Sequence, residues 1–339
     1  MPKIPIFEKK NVLVTGGAGF VGSYICEALL KEAKVICMDD LVSGSLQNIE
    51  HLLKESDFVF IKHDINEGPI DLANWPELKK FKVEFQGIQE IYHLACPTSP
   101  KDFEKYKINT LKANSVGTAN VLDLAARFHA KVLLASSSVV YGSREKDGHY
   151  ISEDYQGVVD HTSPRACYDE GKRFAETMVL TYKAVYGMDV RIARIFRTYG
   201  PRQKLGIGEM IPDFVVNALE GKPLTIYGND QFKTSLCYVT DMVDGILKLM
   251  AAETDPGPVN LGSDEEHEIE QVAKLILQLT NSTSKIVREK PLLFMRAQPL
   301  PNISRAKEII NWFPLIRLKD GLRQMIEYTQ AQKHLLGMK

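Results

Sequence analysis

The sequence predicts an α/β fold: a doubly wound parallel sheet with a smaller C-terminal substrate lobe woven into it. Three observations carry this. Short apolar runs alternate with amphipathic helical stretches through the first half. A glycine-spaced turn joins the first run to the first helix. Beyond Tyr199 the alternation breaks at Gly-Pro, Gly-Lys-Pro and Asp-Pro-Gly-Pro. Residues 11–15, 34–38, 58–61, 90–94 and 131–135 read as buried strands, and residues 24–31 and 115–128 carry apolar side chains at helical spacing. Residues 66–86 read as a polar excursion between strands, a surface helix or loop. The division expected is residues 1–200 for the doubly wound half and 201–339 mainly for the lobe, with some strands returning to the first half.

Composition narrows the function classes. Of the 339 residues, 44% are hydrophobic and 25% charged, as in an ordinary globular protein long enough for one large domain or two joined ones. The formal net charge of −1 gives no footprint for a phosphate backbone, so nucleic acid is not an expected partner. Five scattered cysteines (Cys26, Cys37, Cys96, Cys167, Cys237) without ligand spacing point to a reducing, cytoplasmic setting. The first ten residues lack the apolar stretch of a secretory signal, and no window reaches the length of a membrane span. The eight histidines lack ligand spacing, so no metal is expected; His149, His161 and His267 read as solvated loop residues.

The first run, Val12-Leu13-Val14-Thr15, enters Gly16-Gly17-Ala18-Gly19-Phe20-Val21-Gly22, and a helix follows at once. Gly16, Gly19 and Gly22 allow a tight turn, close approach of backbone N–H groups to a pyrophosphate, and packing of helix on strand. The helix N-terminus adds partial positive charge there. Asp39 closes the next strand about twenty residues on, where a carboxylate accepts from an adenosine ribose and repels a 2′-phosphate; NAD is therefore expected over NADP. These are the marks of a Rossmann unit. Asp64 can serve the adenine amino group or cap its own loop.

A second cluster carries chemistry. Tyr168 and Lys172 stand four apart at the start of a helix, which puts phenol and ammonium on one face. The ammonium and a nicotinamide cation would both lower the tyrosine pKa from near 10, letting the phenolate take a proton from a substrate hydroxyl. Ser136, Ser137 and Ser138 follow the strand at 131–135, and one of these hydroxyls can relay that proton. Alone, a YxxxK spacing is more often an exposed helix pair.

Together these residues resemble the extended short-chain dehydrogenase/reductases that act on nucleotide sugars, and within them the UDP-glucuronate decarboxylase branch. The likeness runs through His93-Leu94-Ala95-Cys96-Pro97, Leu133-Leu134-Ala135-Ser136, Pro164-Arg165-Ala166-Cys167, Arg194-Ile195-Phe196, Tyr199-Gly200-Pro201-Arg202, Leu224-Thr225-Ile226-Tyr227-Gly228 and Tyr238-Val239-Thr240-Asp241. It implies Tyr168 as base, Lys172 as its partner and ribose ligand, and Ser137 as the positioning hydroxyl. It implies NAD along Phe20, Val21, Asp40, Ser43 and Gly44, then Ile65, Leu94, Ala95 and Thr198. A UDP-sugar or another nucleoside-diphosphate sugar would reach Ser138, Val139, Arg197 and Arg202 and, in the lobe, Thr225, Tyr227, Lys233, Thr234 and Arg296. A homodimer paired through the YxxxK helix and its neighbour is implied too; Leu122 and Ala125 suit such a face, or a buried intrachain one. The tail, residues 330–339, reads as a frayed end or a partner contact.

Four positions depart from the branch. Val139 stands where decarboxylases and dehydratases carry glutamate, and valine neither moves a proton nor orients water. Thr234 replaces an arginine that serves the sugar carboxylate or the proton-return step, and Lys233, on the opposite strand face, does not reproduce a guanidinium. Arg197 replaces asparagine. Around Arg296 a phosphate-binding arginine is shifted or lost. A 4,6-dehydratase is therefore not expected. The leading expectation is C4 oxidation of a UDP-sugar ending in 4-epimerisation, or in release of the ketosugar. Decarboxylation of UDP-glucuronate is the first alternative, and a silent binder of NAD and nucleotide sugar is the alternative from another class.

Overall fold

The computed structural model describes residues 9–98, 103–143, 150–206, 208–228, 233–291 and 299–335. Strand β1 (Lys10–Thr15) leads into α1 (Phe20–Leu29), β2 (Ala33–Asp39) and β3 (Phe58–Lys62). The short α2 (Val83–Gln86) precedes β4 (Glu90–His93); α3 (Phe103–Lys112) and α4 (Thr118–Phe128) follow. Then come β5 (Lys131–Ser137), β6 (Tyr150–Ile151), α5 (Ala166–Tyr186), β7 (Val190–Ile195) and β8 (Thr198–Tyr199). The remainder holds α6 (Met210–Leu219), β9 (Leu224–Tyr227), β10 (Lys233–Ser235), β11 (Cys237–Tyr238), α7 (Val239–Ala251) and β12 (Pro258–Leu261). Last are β13 (Glu266–Glu268), α8 (Ile269–Thr280), β14 (Ile286–Glu289), β15 (Leu300–Pro301), α9 (Ser304–Ile310) and α10 (Leu318–Leu335).

Seven strands form one parallel sheet in the order β12-β7-β5-β4-β1-β2-β3. The order reverses between β1 and β4, and the carboxyl ends on either side of such a switch point leave a crevice. All five strands expected from sequence are present within two residues of their expected ends. Strand alternation splits the core between two faces. Val12, Val14, Val35 and Cys37 pack under α1 and α7, while Leu13, Ile36, Met38 and Ile61 pack under α4 and α5. Strand β12 returns from the second half of the chain to the sheet edge beside β7. No helix among the described residues is long and apolar enough to cross a membrane.

Three expectations change. Residues 66–86 are not merely a polar excursion. They form two 3₁₀ turns and α2, and Ile70, Leu72, Leu78 and Phe81 are buried in the α4/α5 core. Asn11, wholly buried in β1, donates to the carbonyls of Phe81 and Gly87 at 3.1 and 2.8 Å, so the segment's backbone is satisfied from the sheet. Leu122 and Ala125 are fully buried within the chain and offer nothing to a second copy. His267 lies in β13, half-buried opposite Thr234, not in a loop. His161 is exposed in a turn, as expected; His149 and the end of the tail lie outside the described residues.

The catalytic helix is tied to the sheet by one buried polar cluster. Glu176 accepts from Arg194 twice, at 3.0 Å from Nε and 2.8 Å from Nη2, and from Ser136 Oγ at 2.5 Å. Arg194 also donates to the Tyr141 hydroxyl at 2.8 Å, and that hydroxyl donates to Asn260 Oδ1 at 2.7 Å. The pair thus joins α5 to β5, β7 and β12.

His93, wholly buried at the end of β4, is held by hydroxyls on both ring nitrogens: Thr15 on Nδ1 at 2.8 Å and Thr118 on Nε2 at 3.1 Å. The Thr118 hydroxyl donates to Ala113 O, so it accepts from Nε2–H, and Nδ1 accepts from Thr15; this is a neutral imidazole. Burial, with the nearby Lys172 charge, pushes its pKa down to about 3. The unfolded chain therefore takes up this proton near pH 6.5 while the folded chain does not. Stability from this group is full above pH 6.5 and is lost as pH falls toward 3, at up to about 1.4 kcal/mol per pH unit. In urea unfolding measured across that range, the stability advantage of wild type over His93→Gln should narrow as pH falls. A pH-independent difference would show that His93 protonates freely in the fold.

Candidate active site

A cavity of about 1290 Å³ opens along the carboxyl ends of β1, β2, β4, β5 and β7. Pockets for one drug-sized ligand run to roughly 300–1,000 Å³, so this one has room for two molecules end to end. Its lining includes every site residue expected from sequence except Arg296, which lies outside the described residues.

At one end is a dinucleotide cradle. Gly16 takes φ +72°, and a Cβ there would come within 2.8 Å of Ala95 N; at Gly22 a Cβ would meet Gly16 O. Gly19 caps α1 without a side-chain bond, and no acid lies in the helix's first turn, so its N–H groups face the cavity unopposed. The Asp39 carboxylate accepts from Ala18 N at 3.0 Å and Leu41 N at 2.8 Å, which fixes it with acceptor capacity left for a ribose. Burial raises the pKa of both Asp39 and Asp40; Asp64 raises that of Asp40 further. Three acids this close disfavour a 2′-phosphate and suit NAD. Asp64 also caps its own turn, accepting from Asn66 N at 2.9 Å. Phe20, Val21, Ser43, Gly44, Ile65, Leu94, Ala95 and Thr198 line the same stretch.

In the middle stand Ser137, Tyr168 and Lys172. Ser137 ends β5, and its side chain hydrogen-bonds the Tyr168 phenol. Lys172 Nζ lies 6.0 Å from the Tyr168 ring centroid and donates to Ala135 O at 2.9 Å. The expectation that Lys172 already lowers the phenol's pKa is not met. Burial dominates and pushes it well above 10, opposed by Ser137 and Arg165, because the ammonium points past the ring to a strand carbonyl. A bound NAD supplies a hydride acceptor and the positive charge that would offset this burial. Between α3 and α4, residues Ala113–Gly117 form a π-helical turn that places buried Asn114 beside the site, its Nδ2 on Thr110 O at 2.9 Å and Cys96 Sγ at 3.1 Å.

The far end is where the departures meet. Val139 packs with Cys96, Cys167 and Tyr168, an apolar wall where the resemblance implied a carboxylate. Arg197 Nη1 lies 3.3 Å from Thr234 Oγ1, so a guanidinium occupies the neighbourhood of the missing arginine, delivered from the link between β7 and β8. Lys233, by contrast, pairs with Glu266 at 3.0 Å with its side chain 44% exposed. Arg202 stacks on Tyr24 at 4.2 Å and pairs with Glu27 at 2.5 Å, so its charge is largely spent at the rim. Ser138, Thr225 and Tyr227 line the wall as expected. Sequence reading did not single out Arg165, Glu209 or Asn114. Arg165 sits three residues before Tyr168, inside a segment already quoted, but Glu209 follows a glycine-rich loop that bears no motif.

Comparison with known proteins agrees with this site. The model of the NAD dependent epimerase/dehydratase family matches residues 12–262. UDP-glucuronic acid decarboxylase 1 of Xenopus tropicalis is 40% identical over 326 residues, covering 96% of this chain and 73% of that protein. UDP-glucuronic acid decarboxylase 5 of Arabidopsis thaliana is 38% identical over 319 residues, 94% of this chain and 88% of that one. Among solved structures, the UDP-glucuronic acid 4-epimerase of Bacillus cereus, in complex with UDP-glucuronic acid and NAD, superposes with a TM-score of 0.83 at 26% identity, covering 95% of this chain and 99% of that one. With a cradle shaped for NAD, a serine, tyrosine and lysine at its inner end, and a family match across most of its length, this chain belongs to the NAD-dependent epimerase/dehydratase family and is an enzyme of that nucleotide-sugar-modifying kind.

Proposed function

We propose that this enzyme oxidises UDP-glucuronate at C4 and releases its C6 carboxyl as carbon dioxide, with NAD lying along the glycine loop and Asp39. The carrying observation is Arg197, a half-buried guanidinium beside Thr234 at the far end of the cavity. Glu209 already lies within reach of this cation's charge, and a sugar carboxylate adds a charge-assisted bond that a neutral sugar does not. The relatives named above, both UDP-glucuronic acid decarboxylases, support the same substrate. Tyr168 takes the C4 hydroxyl proton, Ser137 positions that hydroxyl, and Lys172 holds the cofactor ribose and the strand end. When bound along the glycine loop and Asp39, NAD would supply the acceptor and later the source of the C4 hydride. A C4 ketone stands β to the C6 carboxylate, so departure of carbon dioxide requires only that the carboxylate be turned out of the ring plane. Val139 does not block that step.

Val139 does favour a second reading, 4-epimerisation, since turning over a 4-ketosugar requires no carboxyl at that wall. The structural likeness to a UDP-glucuronic acid 4-epimerase supports it as well. The holoenzyme incubated with UDP-glucuronate should give a product lighter by one carbon dioxide; an isomer of unchanged mass would overturn decarboxylation in favour of epimerisation. Arg197→Ala should raise KM for UDP-glucuronate by about tenfold to a hundredfold, the loss of one charged hydrogen bond of roughly 1.5–3 kcal/mol. An unchanged KM would remove Arg197 from the carboxylate.

The enzyme is also proposed to pair with a second copy through α3 and α5. Leu122 and Ala125 cannot serve, but Ile108, Leu111, Val116, Phe174, Leu180 and Val185 are exposed on α3, α5 and the turn between α3 and α4. Light scattering should give a dimer for wild type and a monomer for the double variant Phe174→Glu/Val185→Glu; a monomeric wild type would contradict the pairing.

A further inference from the structure

If the C6 carboxyl leaves, the electron pair of the broken C5–C6 bond moves into the C4 carbonyl. The resulting enolate must then be protonated at C5. The wall beside Tyr168 that carried a carboxyl in the related branch is here Val139, Cys96 and Cys167, and it offers only two thiols, weak acids whose pKa burial raises further. A carboxyl, the stronger acid, must come from another wall.

The cavity's acids fall into two groups. Asp39, Asp40 and Asp64 sit at the dinucleotide end; Glu209 and Asp213 sit at the sugar end, on α6 and the loop before it. Of these two, Glu209 is the one whose charge is felt by Tyr168. Glu209 occupies the N-cap position of α6, yet its side chain makes no capping bond, although its backbone carbonyl accepts from Asp213 N at 3.0 Å. A carboxylate at a helix start ordinarily accepts from the first turn. This one instead lines the same cavity as Met210, Arg197, Arg165 and Tyr168, near enough for the two arginines to act on its charge and for its charge to act on Tyr168.

We propose that Glu209 is the catalytic acid that protonates C5 of the sugar, replacing from α6 the carboxyl that Val139 has removed from the opposite wall. The inference rests on the decarboxylation reading. Carbon dioxide leaves C5, the C4 enolate forms, the Glu209 carboxyl gives its proton to C5, and the C4 ketone is restored. Glu209 is left as a carboxylate and takes a proton from solvent. Its surroundings suit the task. Burial and Asp213 raise its pKa, favouring the protonated donor, while Arg197 and Arg165 lower it, stabilising the carboxylate left behind.

The test uses the full-length holoenzyme with UDP-glucuronate in deuterated water. Wild type should place one deuterium at C5 on a single face. Glu209→Gln should still reduce NAD and release carbon dioxide, but form final product about a hundredfold more slowly, with reduced cofactor accumulating and label on both C5 faces. Glu209→Asp should recover part of the rate and the single-face label. In wild type kcat should fall as pH rises through the Glu209 pKa, because the acid form is the active one, and Glu209→Gln should lack that limb. A Glu209→Gln enzyme within twofold of wild type, labelled on one face, would overturn the assignment. So would a variant that no longer reduces NAD at all, since that is loss of the site and not of one proton donor. Should wild type itself return an isomer of unchanged mass, the decarboxylation reading fails and the C5 role goes with it. Carbon dioxide release by wild type with an indifferent Glu209→Gln removes Glu209 alone.

Discussion

The geometry of the site depends on the Arg194–Glu176 pair. Tyr168, Lys172 and Glu176 follow one another at four-residue steps along one face of α5, so clamping Glu176 to β7 and to Ser136 sets the height and rotation of the other two. Ser136 and Ser137 are neighbours at the end of β5, one held by the clamp and the other facing the cavity. The bidentate contact is planar and directional, which a lysine would not reproduce. Breaking one partner of such a buried pair typically costs about 3–5 kcal/mol, because a desolvated charge is left behind. The sequence can therefore vary around the sugar while the serine, tyrosine and lysine keep their relation.

Much of the fold was legible because parallel strands buried on both faces leave a strong signature. The runs at β1, β2 and β5 each hold three or four consecutive apolar residues, and the glycine loop has few other physical uses. What escaped was structure whose apolar residues are diluted by charge. In residues 66–86 charged side chains are interleaved with the apolar ones and no regular period shows, yet Ile70, Leu72, Leu78 and Phe81 all turn inward. The same limit applies to Leu122 and Ala125, where helical spacing shows that a face is apolar but not what covers it.

At the site, local motifs placed Ser137, Tyr168, Lys172 and Asp39 correctly in one cavity. Relations across the chain did not show. That Arg197 reaches Thr234 could not be read from positions thirty-seven residues apart, because it depends on β8 pairing with β11 and on how β10 lies against it. That Lys233 is engaged by Glu266 across β10 and β13 depends in the same way on pairing between distant strands. Val139 and Thr234 each read alone as the loss of a charge, whereas Arg197 and Glu209 put charge on other walls of the same cavity.

The central claim is that chemistry begins with oxidation at C4 driven by Tyr168. The most direct measurement is single-turnover reduction of bound NAD by UDP-glucuronate carrying deuterium at C4, in wild type and Tyr168→Phe. The account predicts slower reduction with the deuterated sugar in wild type, a primary isotope effect, and about a hundredfold or greater loss of rate in the variant. Reduction at equal rates for both isotopes and both proteins would contradict it.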